Sequence, residues 1–244
     1  MKYINAGSYI FMVGMNILAS ALPLNGQTTA MVSDKYPNLF TPAGYVFSIW
    51  GLIYLLLGAF VVRGFLAEDP RIEGLGHLFA ISSVLNGVWI IAWHWEILSI
   101  SLVIMLALLA TLVLISLRLK KSRAQSPRGH WMVDIPFSVY LGWISVATIA
   151  NVSVVLTAGG WDGWGIGPVT WTIIMILAAG ALGALAIRLR NDIPYALVIM
   201  WALSGVGAAN AESLVLAGVA WGVALLLGVL LGYEMARRSL VRRA

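Results

Sequence analysis

Aromatic rings and side-chain amides recur at helical spacing in three apolar segments of this chain. Residues three, four, seven or eleven positions apart share one face of a helix. Each segment carries one such face, and together the three faces contain Trp50, Tyr54; Asn86, Trp89, Trp93; and Tyr140, Trp143, Ala147, Asn151. Stacking on wide rings, with a few orienting hydrogen bonds, is the chemistry that binds a flat and mostly apolar molecule. We therefore take these nine residues as candidate ligand-binding residues.

The same residues are compatible with simple helix packing. An Asn that faced lipid would leave its amide without a partner, so Asn86 and Asn151 should turn inward and bond each other, a helix backbone or a ligand. Hydrogen bonds between membrane helices average about 0.6 kcal/mol and are common. Tight packing alone would likewise account for Trp50 and Trp143. At this stage ligand binding and helix packing are equal alternatives.

The composition places these faces in a membrane. The chain is 61% hydrophobic and 10% charged, whereas soluble domains average about 45–50% and about 25%. A bilayer-spanning helix needs about 20 mostly apolar residues. Eight segments of that kind are predicted, at residues 6–23, 43–65, 76–95, 97–117, 135–157, 167–187, 193–210 and 213–233. The fold class that follows is an all-α integral membrane protein with eight transmembrane helices.

The basic residues predict the orientation. Of the 15 Lys and Arg residues, all except Lys35 fall in the termini or in alternate loops on one side of the predicted bundle. Because cytoplasmic loops are enriched in Lys and Arg, both termini are predicted to lie in the cytoplasm, as in a prokaryotic cytoplasmic membrane. The net charge of +5 is thus a topology signal, and we expect no nucleic-acid partner.

Several classes of function are disfavoured. Every lysine lies outside the predicted spans, which excludes a retinal Schiff base, and no Asp, Glu or Arg lies near a span centre, as an ion-coupled pump would need. The chain has no cysteine and no recognisable catalytic set, so we expect no metal site and lean against an enzyme. His94 and Glu96, at a predicted hairpin, are interpreted as interfacial anchors. The long first connection, residues 23–41, is predicted to be a lid.

Three motifs resemble one known family. They are Y-L-G-W-x-x-x-A-T-x-x-N from Tyr140, W-G-L-I-Y from Trp50 with Pro42 upstream, and L-N-x-x-W from Leu85. In this order they resemble the TspO/translocator-protein family, also called tryptophan-rich sensory proteins, over residues 1–158. One departure stands out: where family members carry Pro-Pro and then a Trp, this chain has Thr41-Pro42 and Gly44-Tyr45. A stacking Trp is therefore missing or replaced by Tyr45.

The resemblance implies a five-helix bundle over residues 1–158 whose pocket opens toward the first connection. Residues 159–244 would then be a three-helix extension with a basic cytoplasmic tail. Family membership further implies a bound tetrapyrrole such as a porphyrin, or a sterol-like lipid, with roles in transport, signalling or porphyrin breakdown. The pocket residues it implies are Trp50, Tyr54, Asn86, Trp89, Tyr140, Trp143, Ala147 and Asn151.

The leading hypothesis is a receptor or transporter-like membrane protein that binds a flat hydrophobic ligand. The alternatives are a structural scaffold subunit of a larger membrane complex and a facilitative carrier of a neutral solute. The expected partners are the lipid bilayer, the small-molecule ligand, and a second copy or another membrane protein. No covalent cofactor is expected. The sequence does not identify the ligand, the oligomeric state or the role of the last three spans.

Overall fold

The computed structural model describes residues 1–22, 24–121 and 129–241, and all regular structure in these residues is helical. The helices are α1 (Lys2–Ala21), α2 (Thr29–Asp34), α3 (Ile49–Leu66), α4 (Pro70–Gly74), α5 (Leu78–His94), α6 (Leu98–Lys121), α7 (Ile135–Ala158), α8 (Pro168–Leu185), α9 (Ile193–Ala209) and α10 (Leu214–Val241). Short 3₁₀ turns cover Leu24–Gly26, Gly44–Ser48 and Gly163–Gly165, and π-helical turns cover His130–Asp134 and Ala186–Arg190. The all-α prediction is confirmed.

Within the described residues, five helical segments are long and apolar enough to cross a membrane. They are Gly44–Leu66, Leu98–Lys121, His130–Ala158, Pro168–Arg190 and Leu214–Leu240. A sixth span arises if Lys2–Ala19 and Leu24–Asp34, bent by 45°, count as one. Helices α5 and α9 are apolar but have 17 residues each, about 25 Å of helix against a hydrocarbon core of about 30 Å. The prediction of eight spans therefore stays a prediction, although a helix lies at each predicted segment.

The first of two compact units contains Met1–Pro37 and Ser48–Gly159. Its five long helices form a closed ring of neighbours in the order α1, α5, α6, α7, α3, and α3 returns to α1. Glycines allow α1 to approach closely: a Cβ on Gly58 would lie 2.7 Å from the Tyr9 hydroxyl, and one on Gly87 would lie 2.5 Å from Phe11. Because the five helices form a closed ring, side chains that reach between non-neighbouring helices must cross its interior.

The second unit contains Asn38–Phe47 and the described part of Gly160–Ala244. Helices α8, α9 and α10 pack against one another pairwise. A Cβ on Gly183 of α8 would lie 2.9 Å from Leu227 of α10, so small residues let these helices approach closely. The early segment Asn38–Phe47 is tied to α9, since the Ala43 amide donates to the Gly205 carbonyl at 3.1 Å and the Asn210 amide donates to the Leu39 carbonyl at 2.9 Å.

Candidate functional site

Trp50 of α3 lies at the centre of an aromatic cluster in the first unit. Its ring stacks on that of Tyr54, with centroids 5.7 Å apart and planes 17° apart. Its centroid is also 6.5 Å from Trp89 of α5, and 6.2 Å and 6.0 Å from Tyr140 and Trp143 of α7. The three predicted faces therefore meet. Helices α3 and α5 are not neighbours in the five-helix ring, so the side chains of Trp50 and Trp89 contact each other across its interior.

Trp93 extends the cluster toward the first connection. It is 4% exposed and stacks on Trp89 at 5.4 Å, with planes 23° apart. Its indole N–H donates to the Thr29 carbonyl at 3.1 Å. One predicted ligand-binding residue thus also holds the segment that was predicted to form a lid.

A chain of hydrogen bonds beside the rings joins three helices. Asn86 of α5 is fully buried, accepts from the Asn16 amide of α1 at 2.8 Å and donates to the Tyr140 hydroxyl of α7 at 3.0 Å. Asn86 therefore turns inward as predicted, with protein partners on both sides of its amide. Sequence reasoning missed Asn16, although an Asn within an apolar span is itself a signal because its amide is costly to bury alone.

The far end of the α7 face lies apart from the hydrogen bonds that join Asn16, Asn86 and Tyr140. Asn151 is 2% exposed and lies 3.4 Å from the Ser101 hydroxyl of α6, which itself donates to the Leu98 carbonyl. Ala147, one turn earlier, is half-buried. Asn151 thus takes a neighbouring helix as its partner, one of the outcomes that the sequence left open.

Two polar hydrogens in the aromatic cluster have no protein partner within the described residues. The Tyr54 hydroxyl and the Trp89 indole N–H are both buried without a hydrogen bond, and Trp89 is 6% exposed. An indole N–H can only donate, so it needs an acceptor. A buried polar group left without a partner costs about 1–3 kcal/mol. These two positions are where an acceptor from a ligand would be most stabilising.

Residues 25–36 of the first connection, which we call the cap segment, are fastened to the turn between α5 and α6. The Glu96 carboxylate accepts from the Gln27 amide at 3.0 Å, the Lys35 ammonium at 2.6 Å and the Tyr36 hydroxyl at 2.7 Å. The His94 carbonyl accepts from Asn25 and Gln27 at 3.0 Å and 2.9 Å. The anchor interpretation of Glu96 and His94 was incomplete: Glu96 binds the cap segment, and the His94 side chain is fully buried.

These bonds change how the groups titrate. Hydrogen bonds from Lys35, Gln27 and Tyr36 lower the pKa of Glu96 to about 2, against an ordinary value of 4.5. The bond to the Glu96 carboxylate, followed by burial, raises the pKa of Tyr36. The carboxylate therefore stays charged, and the phenol stays protonated, over a wide pH range.

The opposite end of α5 carries a buried ion cluster. The Arg71 guanidinium donates to both carboxylate oxygens of Asp69 at 3.1 Å and 3.0 Å, and to both of Asp134 at 3.2 Å. Although burial alone would raise the pKa of Asp69, hydrogen bonds and charge from Arg71 lower it overall. Burial would likewise lower the pKa of Arg71, but the two carboxylates raise it. This cluster, formed by Asp69, Arg71 and Asp134, ties α4 to the start of α7.

Two further observations bear on the sequence predictions. Tyr45, considered as a replacement for a family Trp, packs edge-on against Trp201 in the second unit, with centroids 5.4 Å apart. In the part of the chain that the structure describes, no group of three or more His, Cys, Asp or Glu side chains is arranged to hold a metal ion.

The sequence pattern of the TSPO-like protein family matches residues 2–233. No curated protein and no solved structure shows significant similarity to the chain. This match confirms the resemblance inferred from motifs within residues 1–158, and it continues beyond them through α8, α9 and most of α10. Taken with the long apolar helices, this match shows that the chain is an integral membrane protein and belongs to the TSPO-like protein family.

Proposed function

We propose that this protein binds a flat hydrophobic ligand, such as a tetrapyrrole, among the aromatic side chains inside the five-helix ring. The observation that carries the proposal is the pair of buried donors beside Trp50, Tyr54 and Trp89, which have no hydrogen-bond partner in the described part of the chain. Rings from three helices supply stacking surface, and the two donors would orient an acceptor on the ligand. Trp93, Tyr140, Trp143, Ala147 and Asn151 complete the proposed site residues.

The partnered polar groups have a different role in this proposal. Both sides of the Asn86 amide are already bonded within the protein, which holds Tyr140 in place beside Trp50. Asn86 would therefore position the rings, while Tyr54 and Trp89 would contact the ligand. A sterol-like lipid with a hydroxyl oxygen would satisfy the same two donors, so the experiment below includes both ligand types.

A scaffold function is the second candidate. It is favoured by the hydrogen bonds that Asn86 and Asn151 make to other helices and by the mutual contacts of the cluster rings at 5.4–6.5 Å. Under this function the rings would only pack, and the protein would serve as a subunit of a larger membrane complex.

For the membrane arrangement we propose eight spans with both termini in the cytoplasm of a prokaryotic cell. The support is the distribution of the 15 Lys and Arg residues, of which only Lys35 falls on the other side. In this arrangement the cap segment lies at the non-cytoplasmic face. A cysteine scan with a membrane-impermeant thiol reagent tests the arrangement directly, because the natural chain has no cysteine.

The test of ligand binding compares two Tyr→Phe variants by tryptophan-fluorescence quenching with protoporphyrin IX and, separately, with cholesterol as a competitor. Tyr54→Phe removes an unpartnered hydroxyl, so we expect the unliganded protein to be more stable by about 1 kcal/mol and porphyrin affinity to fall about tenfold. Tyr140→Phe removes the acceptor of Asn86, so we expect a loss of stability of about 1–3 kcal/mol.

Higher stability of the unliganded protein together with lower porphyrin affinity is expected for Tyr54→Phe only if the Tyr54 hydroxyl contacts the ligand. Tyr233→Phe, an exposed position in the second unit, is the matched control and should change neither quantity. If the wild-type protein shows no saturable quenching, or if Tyr54→Phe binds porphyrin as tightly as the wild type, the ligand site is refuted and the scaffold function gains support.

A further inference from the structure

The geometry points to Glu96 as the residue that controls access to the aromatic site, by holding the cap segment closed over the α5–α6 turn. The access role depends on the proposed ligand binding, whereas the holding of the cap segment does not. Glu96 does not belong to the aromatic cluster and would not contact the ligand. It is a positioning residue that acts through the cap segment.

Three donors from one segment converge on a single carboxylate. Gln27, Lys35 and Tyr36 all belong to the cap segment, and they lie 60 to 69 residues from Glu96 in the chain. Charge-assisted hydrogen bonds of this kind are about twice as strong as those between neutral groups. Removing this one charge would therefore weaken three attachments at once.

The backbone at Glu96 is held in a fixed conformation at the end of α5. Its φ is +54°, in the left-handed region that residues with a side chain adopt at a cost. The Glu96 amide donates to the Trp93 carbonyl and the Ile97 amide donates to the Ala92 carbonyl, which closes the end of α5. The turn is thus firmly attached to α5, so the cap segment is held by a fixed group.

The cap segment is linked to the aromatic cluster through Trp93. The Thr29 carbonyl of the cap segment accepts from the Trp93 indole, Trp93 stacks on Trp89, and Trp89 contacts Trp50. Displacement of the cap segment would remove the hydrogen bond that holds Trp93, and the Trp89 ring would lose a fixed neighbour. Opening at Glu96 would therefore loosen the aromatic cluster itself.

The Glu96 end of α5 is the easier of its two ends to open. At the other end of α5, Asp69 and Arg71 are each 8% exposed and are locked in a bidentate pair. Opening that end would strip buried charges of their partners, which is far more costly than separating exposed ones. A ligand would thus pass at the Glu96 end.

The experiment uses Glu96→Gln, which keeps the side-chain shape and removes the charge. Glu212→Gln, at an exposed Glu elsewhere in the chain, is the matched control. Hydrogen exchange of backbone amides 25–36 measures opening without any ligand, and stopped-flow tryptophan quenching by protoporphyrin IX measures the association and dissociation rates. For Glu96→Gln we expect exchange and both rates to rise on the order of tenfold, with the dissociation constant changed less than about threefold.

The outcomes separate the two proposals. If Glu96→Gln leaves exchange in residues 25–36 unchanged, or if Glu212→Gln accelerates it equally, Glu96 does not hold the cap segment. Faster exchange with unaltered porphyrin rates would overturn the access role and leave the binding site standing. If the wild type binds no porphyrin, the proposed function fails and the access role fails with it, while the exchange result still shows what Glu96 holds.

Discussion

Each end of α5 is closed by a carboxylate paired with a cation, but one pair is buried and the other is more exposed. At one end the Asp69 and Arg71 side chains are each 8% exposed, and at the other the Lys35 and Glu96 side chains are 49% and 27% exposed. Water screens the second pair and not the first, so the two closures differ in energy although both join carboxylates to cations. The comparison indicates that one end is a permanent closure and the other is reversible.

The largest effect is expected from Arg71→Met. This change leaves Asp69 and Asp134 without the guanidinium that both contact, and breaking a buried ion pair from one side costs about 3–5 kcal/mol. Because Arg63 would remain 3.6 Å from Asp69, the lower end of that range applies. We expect a loss of that size in the free energy of unfolding, measured by denaturant titration in detergent micelles. Arg188→Met, at an exposed position, is the control and should stay within about 0.5 kcal/mol of the wild type. A loss below about 1 kcal/mol for Arg71→Met would mean that the buried end is no stronger than the exposed one.

An intermediate effect is expected from pH at the cap segment. Because the pKa of Glu96 is lowered to about 2 from an ordinary value of 4.5, its contribution is present above pH 4.5 and is lost as the pH falls from 4.5 toward 2. The pKa of Tyr36 is raised above 10.0, so its contribution is present below pH 10 and is lost as the pH rises through the pKa in the folded protein. The cap segment should stay closed between these limits.

A spin label at Met31→Cys, an exposed cap-segment position that would be the sole cysteine, reports these transitions. We expect an immobile label from pH 5 to 9, and mobility that appears below about pH 4 as about 1–2 kcal/mol of closure is lost. Adding Glu96→Gln should give a mobile label at every pH and abolish the acid transition. An acid transition that survives Glu96→Gln would assign the pH dependence to another group.

The smallest effect is expected from Lys35→Met. An exposed ion pair is worth about 0.2–1 kcal/mol, and Gln27 and Tyr36 would still donate to Glu96 in this variant. We expect a slight rise in label mobility that becomes smaller in 1 M salt, because salt weakens the attraction between exposed charges. A loss of more than about 2 kcal/mol in the free energy of cap-segment closure, unchanged by salt, would show that Lys35 is effectively buried. The two ends of α5 would then be alike.

Much of the helical architecture could be predicted from local sequence. The eight predicted segments all coincide with helices, because each is an apolar run bounded by charged, Gly or Pro residues. The three faces around Trp50 also followed from helical spacing, which brings side chains from one helix to one side. Recognition of the family from Tyr140, Trp143 and Asn151 is confirmed by the family match, although that match extends well beyond the predicted region.

Partners distant in sequence could not be predicted in this way. Asn16 and Asn86 are 70 residues apart, and Glu96 lies 61 residues from Lys35. Their pairing depends on how far each helix is shifted and rotated against its neighbour, which composition and spacing do not encode. For the same reason the sequence did not show that Tyr45, considered as a replacement for a family Trp, packs on Trp201.

The sequence by itself determined that this chain folds into membrane helices, since a chain so apolar must satisfy its backbone hydrogen bonds internally and a helix does so within one segment. It also determined which side chains share a helical face. Only the tertiary structure decided that Asn86 has partners on both sides of its amide, while the Tyr54 hydroxyl and the Trp89 indole N–H have none among the residues that the structure describes. That distinction arises where helices meet, because a hydrogen bond depends on distances of a few tenths of an ångström between groups on separate segments.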